Sequence, residues 1–130
     1  MFRKKRTYQH PTLGVFTYMH GVWHGYAEAA GQDTFFIQVG GDRDQPNHRH
    51  LDAARKLVAA IGDVTRQAMD YLETRPDVRE FAEGNGDLVL DGIEVEDAGF
   101  DLSLGFTQWP DGYVVVHFAG DKPVDVIMGD

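Results

Sequence analysis

The sequence predicts an α+β fold: a mainly antiparallel sheet of six or seven strands, with one long central helix at about residues 48–74 packed on one face. Two observations indicate this class. Strand-like segments fill residues 13–41 and 88–129, and residues 42–84 between them show the spacing of a helix. Because strands and helix are segregated along the chain rather than alternating, an antiparallel sheet covered on one side is favoured over a parallel α/β arrangement.

The first group of strands is predicted from composition and turn residues. Residues 13–19, 22–27 and 34–39 are rich in β-branched and aromatic side chains, which strands favour. Glycines separate the first two segments, and residues 31–33 have the composition of a turn before the third. We therefore expect two hairpins in a meander. The basic start, residues 1–10, is expected to be a flexible extension of the domain.

A single long helix is predicted at the centre of the chain. Asn47 is of a residue type that caps helix N-termini, and Pro76 ends the helix or begins a short further turn. Between them, apolar residues recur every three or four positions, and charged residues fill the other side. The apolar stripe consists of Leu51, Ala54, Leu57, Val58, Ile61, Val64, Ala68, Tyr71 and Leu72. This stripe is expected to pack on the sheet.

The second group of strands follows the helix. Residues 87–90 and 93–95 are predicted strand segments on either side of a turn or kink at Asp91-Gly92. Residues 99–106 are a further predicted strand, which alternates apolar and polar residues as a strand with one wet face does. The Trp-Pro-Asp-Gly sequence at 109–112 predicts a tight turn at a hairpin tip. Residues 113–118 are apolar on both faces, which predicts a central strand, and residues 124–128 form the last strand.

The charge of the chain is concentrated in its last third. The 130 residues fit a single domain, residues 1–130, with a net charge of −9. Residues 83–130 contain eleven acidic side chains and only one basic one, Lys122. An acidic surface repels nucleic-acid phosphates and attracts basic proteins. The sequence therefore predicts a basic protein partner and no nucleic-acid partner.

Composition and missing motifs exclude several further classes. No run of about 18 apolar residues occurs, and the basic start lacks the apolar region of a signal peptide, so we expect a cytoplasmic protein without a membrane partner. The absence of cysteine excludes disulfides, thiolate metal sites and cysteine nucleophiles. No phosphate-binding glycine loop, calcium loop or nucleophile elbow is present. We therefore predict no cofactor and no catalytic residue.

The histidines were weighed as metal ligands. His20 and His24 are four residues apart, which in a strand separates them by about 13 Å. One zinc ion holds each nitrogen at about 2.1 Å, so these two histidines predict a hairpin and no metal site. His117 is predicted to be half-buried in a strand. One alternative stays open: a small hydrolase or metal-dependent enzyme that uses His20, His24 or His117 with nearby acids.

The acidic cluster supplies the predicted contact surface. A catalytic carboxylate pair needs a pocket and a raised pKa on one member, and the sequence indicates no pocket. A charged docking surface is therefore favoured, with the indole of a hairpin-tip tryptophan as an apolar anchor. We expect a partner to contact Asp91, Glu94, Glu96, Asp97, Asp101, Trp109 and Asp111.

The layout of the chain also resembles that of a known group. Pro11-Thr-Leu-Gly-Val-Phe has the pattern P-x-x-G-x-aromatic, a long helix contains Leu51-x-x-Ala-x-x-Leu57, and Trp109-x-Asp-Gly112 comes before the last strands. In these features the chain resembles a group of small uncharacterised bacterial proteins. The resemblance implies an immunity or accessory role beside bacterial toxins.

The leading hypothesis is a non-enzymatic acidic protein-binding module, for example an immunity protein that neutralises a basic toxin. Besides the enzyme alternative, a structural homo-oligomer is a third hypothesis. A homodimer would be joined through a sheet edge at residues 124–128, because an edge strand has unpaired backbone groups.

Overall fold

The computed structural model describes residues 5–28 and 34–130, which contain one sheet and three helices. Residues 1–4 and 29–33, with the turn predicted at 31–33, lie outside the described residues. The elements in chain order are β1 (Thr7–His10), β2 (Gly14–Met19), β3 (Val22–Ala27), β4 (Phe35–Val39), α1 (His48–Ala59), α2 (Ile61–Glu73), α3 (Pro76–Ala82), β5 (Leu88–Val95), β6 (Gly99–Phe106), β7 (Trp109–Ala119) and β8 (Lys122–Gly129).

The sheet is mixed, and its eight strands in the described residues run in sequence order from β1 to β8. β4 and β5 are parallel, with Ile37 opposite Ile93, and the other neighbouring pairs are antiparallel. The predicted antiparallel sheet of six or seven strands is therefore wrong. The helices connect β4 to β5, and such a crossover lets the chain rejoin the sheet in the same direction.

The strand that the sequence does not predict is β1, which lies where a flexible extension is expected. It pairs with β2, with Tyr8 opposite Phe16 and His10 opposite Gly14. Tyr8 packs against the core from one side of the sheet. The other three residues of β1 are polar, so the segment lacks the alternation of apolar and polar residues by which a strand is recognised in a sequence.

The predicted single long helix is also wrong, because α1 and α2 occupy its place. Ala60 leaves helical geometry, with φ −111° and ψ 18°, and α2 begins at Ile61. The Ala60 N–H still donates to the carbonyls of Lys56 and Leu57. Because Ala60 alone departs from helical geometry, the apolar residues keep helical spacing across the break. The sequence therefore gives no sign that the helix is interrupted.

The helix ends are formed as the residue types indicate. The Asn47 side chain accepts hydrogen bonds from the N–H groups of Arg49 and His50, which confirms the predicted N-cap of α1. Pro76 is the first residue of α3, where its missing N–H costs nothing. Among the described residues, no helix is long and apolar enough to cross a membrane.

Two apolar clusters hold all three helices against the same face of the sheet. α1 contacts the cluster of β2–β5 through Leu51, and α2 and α3 contact the cluster of β6–β8 through Leu72 and Val78. Leu57 touches both clusters and joins them. Burying one such side chain contributes about 1.5–3 kcal/mol, so apolar contact fixes the helices on this face. The opposite face of the sheet has no helix among the described residues.

The hairpin between β6 and β7 differs from the predicted one. Its tip is at residues 107–108, and Trp109 already pairs with Phe106. The Trp109 indole is half-buried, stacks on Phe106 with ring centroids 5.5 Å apart and also contacts Phe81. Trp109 therefore belongs to the core instead of standing exposed at a tip. Residues 113–118 lie in β7, which has a strand on each side, as predicted, although it is next to the edge strand β8 and not in the middle of the sheet.

Candidate functional site

The open face, as we call the sheet surface opposite the helices, is formed by the side chains that alternate with the core. In β6, Phe100, Leu102 and Leu104 are buried under the helices, whereas Asp101 and Ser103 are half-exposed on the other side. The same alternation runs through β3, β4 and β7. The fold thus leaves one broad surface of an eight-stranded sheet uncovered by helices.

A line of polar side chains crosses all eight strands of the open face. The registers place each member directly opposite the next, and neighbouring strands are about 4.8 Å apart, so the line is about 34 Å long. We call it the polar row, and its members in strand order are Thr7, Thr17, His24, Gln38, Glu94, Asp101, His117 and Asp125. Each strand contributes one residue to the row, so the row is formed by the pairing of the strands and not by residues adjacent in the sequence.

Exposed apolar side chains flank the polar row on the same face. Tyr26 is 70% exposed and Ile127 is 57% exposed, values unusual for large apolar residues. The alternation of the strands places on this face Val15, Met19, Tyr26, Val89, Tyr113 and Ile127. The open face is therefore both apolar and charged.

Phe36 and Gly92 shape the middle of the open face. They are opposite each other in the parallel β4–β5 pair, and the Phe36 ring covers the position that a Gly92 Cβ would occupy. Glycine is needed here because of this close approach, and the strand register shifts between Leu90 and Gly92. Beside the ring lies an open cavity of about 450 Å³, lined in part by Tyr26 and Glu94.

The strongest polar contact of the open face joins β6 and β7. His117 Nδ1 and Asp101 Oδ1 are 2.6 Å apart, and the two side chains are 37% and 21% exposed. The hydrogen bond with Asp101 raises the pKa of His117 above its ordinary value. Glu96, at the end of β5, brings a carboxylate to the same place, and one ligand atom from each of the three residues lies within 4.8 Å of the others.

Glu94 is the second perturbed group of the polar row. Partial burial raises the pKa of the Glu94 carboxyl, and the negative charges of Asp101 and Glu96 raise it further. His24, its neighbour two strands away, acts in the opposite direction. Burial, reinforced by the two nearby carboxylates, therefore disfavours the ionised form of Glu94.

The acids of the open face have no basic side chains to neutralise them. Within residues 5–28 and 34–130, no lysine or arginine forms an ion pair with Glu94, Glu96, Asp101 or Asp125. The ion pair found on the open face among the described residues is the one between His117 and Asp101. This part of the molecule therefore presents an uncompensated negative field.

The predicted contact residues are divided among three places. Asp91, Glu94, Glu96 and Asp101 are gathered on the open face, around the polar row and the cavity beside Phe36. Asp97 instead reaches the helix side, where its carboxylate lies 2.7 Å from His50 Nε2. Trp109 packs in the core, and Asp111 is exposed in the irregular start of β7. These last three residues do not join the open face as one surface with the others.

The histidines considered as an enzymatic centre are far apart. His20 is in the β2–β3 turn with a positive φ of 53°, followed by Gly21 with φ 84°. His24 in β3 and His117 in β7 belong to the polar row, but four strand spacings, about 19 Å, separate their backbones. The distance between the strands therefore excludes a single centre that combines His24 and His117, and of these two histidines it is His117 that has two carboxylates at ligand distance in the described residues.

His50 has a structural role that its position in the first turn of α1 does not reveal. Its Nδ1 accepts a hydrogen bond of 3.0 Å from the Gly40 N–H, so its Nε2 carries the proton and donates to Asp97. The side chain is only 12% exposed. His50 therefore joins β4, α1 and the β5–β6 turn.

Sequence reasoning missed His24, Gln38, His117 and Asp125 as parts of one surface. The available signal was the alternation within β3 and β7, which shows that each side chain lies opposite the core. The row itself depends on which strands are neighbours and on their register, which no local pattern gives. Comparison of the chain with protein-family models, curated proteins and solved structures finds no match.

Proposed function

We propose that this chain is a protein-binding module that docks the open face of its sheet onto a basic partner. The observation that carries the proposal is the combination, on one surface, of exposed apolar side chains and acids that have no lysine or arginine partner in the described part of the chain. An immunity protein that covers the cationic site of a toxin is the specific form we favour. In that form the partner supplies the positive charges that the open face lacks.

The size of the open face suits such an interface. A width of about 34 Å and an average strand length of about 23 Å give a surface of roughly 800 Å². One side of a standard protein–protein interface is about 800 Å². Apolar contacts at Tyr26 and Ile127 would provide affinity, and the carboxylates would steer a basic partner and select against an acidic one.

Charge also distinguishes a basic partner from a second copy of the chain. Two copies joined through their open faces would bring Glu94, Asp101 and Asp125 of both into one interface, and like charges there cost several kcal/mol. The homodimer hypothesis through residues 124–128 uses a different surface, and β8 is an edge strand as that hypothesis requires. Lys122 and Pro123 open this strand, and edge strands use both residue types to resist pairing.

Affinity capture with matched variants tests the proposal. The immobilised wild-type chain is expected to retain a basic protein from the lysate of its source cell at low salt, and to release it as salt rises. Glu94→Gln with Asp125→Asn on the open face should abolish retention of that protein. Asp70→Asn with Glu73→Gln makes the same charge change on exposed positions of α2 and should keep it.

The outcomes distinguish docking on the open face from non-specific binding. Equal loss in both double variants, or retention of the same protein by the open-face variant, would contradict docking on this surface. For the immunity form, the captured protein must be a toxin whose activity falls to zero at a one-to-one ratio with this chain. Circular dichroism of each variant confirms that the fold is kept.

A further inference from the structure

We propose that Glu96, Asp101 and His117 form a binding site for one divalent transition-metal ion, with Zn²⁺ as the best-suited ion. The three side chains come from the end of β5, from β6 and from β7, and their ligand atoms lie within 4.8 Å of one another. This site is independent of the proposed docking function, since it is defined by coordination geometry and needs no partner protein.

The distances fit a zinc ion with small side-chain rotations. Zinc bonds to histidine nitrogen and carboxylate oxygen are about 2.0–2.2 Å, so ligand atoms in a tetrahedral site are about 3.4 Å apart. The 2.6 Å contact between His117 Nδ1 and Asp101 Oδ1 would widen by less than about 1 Å as the metal replaces their shared proton. Glu96 is exposed and has the freedom to close the remaining distance.

The scaffold places two of the ligands on rigid elements. Asp101 and His117 are direct register partners on β6 and β7, and each of these strands is paired on both sides. The turn that carries Glu96 is held by a hydrogen bond from the Glu96 N–H to the Gly99 carbonyl. Ligands on paired strands are positioned more precisely than ligands on loops, and this precision favours binding of a metal ion.

The donor set and the surrounding charge select the class of ion. One imidazole with two carboxylates suits zinc and related transition metals, whereas magnesium and calcium prefer oxygen ligands alone. In the polar row, Glu94 lies next to Asp101 and Asp125 lies next to His117. Both carboxylates add negative charge, and neither has a lysine or arginine partner in the described part of the chain. Three protein ligands at a half-exposed surface leave at least one position for water.

Isothermal titration of the full chain, freed of metal by chelation, tests the proposal. We expect one Zn²⁺ per chain and at least about tenfold weaker binding of Mg²⁺. Asp101→Asn and His117→Gln should each weaken Zn²⁺ binding by more than about tenfold. Replacing a residue that only hydrogen-bonds to a metal ligand already weakens binding by about that factor, and these two residues are proposed as ligands themselves. Asp125→Asn and His24→Gln are the matched controls, because they make the same changes in the polar row outside the ligand set.

Several results would overturn the proposal. These are the absence of a stoichiometric Zn²⁺ site, equal loss in Asp125→Asn and Asp101→Asn, or equal loss in His24→Gln and His117→Gln. Nitrogen NMR of the imidazoles gives a second readout, since Zn²⁺ should shift a ring nitrogen of His117 and leave those of His24 unchanged. Failure of the capture experiment does not affect these outcomes, because they require no partner.

Discussion

The acids on the two faces of the sheet differ in their ion pairs. On the helix side, some exposed acids pair with basic residues one turn away, as Asp52 does with Arg55 and Asp63 with Arg66. On the open face, Glu94 and Glu96 have no such partner in the described residues. Within the described residues, the acids of the open face therefore lack the neighbouring lysines and arginines that offset part of the negative charge on the helix side.

The largest expected difference between the faces concerns stability. Phe118 is fully buried on the helix side and stacks on Phe100 with centroids 4.4 Å apart. Phe118→Ala should lower the free energy of unfolding by about 3–5 kcal/mol, because it leaves a cavity. Ile127→Ala on the open face should change it by less than about 0.5 kcal/mol. Urea denaturation measures both, and similar losses would show that the open face is not a free surface.

A second prediction tests the close packing at the centre of the open face. Gly92→Ala places a methyl group against the Phe36 ring and should destabilise the fold by about 1–3 kcal/mol. Phe36→Ala in the same chain removes the clash, so the double variant should lose less than the sum of the two single variants. Additive losses in urea denaturation would mean that the ring does not cover Gly92.

A third prediction concerns His50, which lies on the helix side of the sheet. His50→Ala leaves the Gly40 N–H without its acceptor in a half-buried place and should cost about 1–3 kcal/mol. Asp97→Asn should cost much less, because the Asp97 side chain is 93% exposed. Thermal or urea unfolding of the two variants provides the measurement. A larger loss in the Asp97 variant would contradict the role given to the backbone hydrogen bond.

The sequence was informative where one element carries its own pattern. The predicted strands at residues 22–27 and 99–106 have the bounds of β3 and β6, because alternation within a strand is local information. The break at Ala60 was hidden because Leu57, Ile61 and Val64 keep helical spacing across it. β1 was hidden because its burial depends on the core that β2 provides.

The candidate site was far less predictable than the strands. Asp101 and His117 are 16 residues apart in the sequence. Asp101 was predicted as a contact residue, and His117 was predicted as a half-buried strand residue, but nothing in the sequence indicated that the two side chains meet. His50 and Asp97 are 47 residues apart and meet through the β5–β6 turn. Contacts of this kind depend on strand order, register and bulges, so composition identified the acidic residues but could not divide them between the two faces.

The smallest expected effect is a titration on the open face. The hydrogen bond with Asp101 raises the pKa of His117 in the folded chain above its ordinary value of 6.5. The stabilisation it gives is fully present below about pH 6.5 and is lost as pH rises through the folded value. In metal-free buffer, NMR titration should show the His117 midpoint falling in Asp101→Asn, whereas the half-exposed pair should add little to stability. An unchanged midpoint would mean that Asp101 does not hold the proton of His117, and that the ion pair between these two residues is not formed in solution.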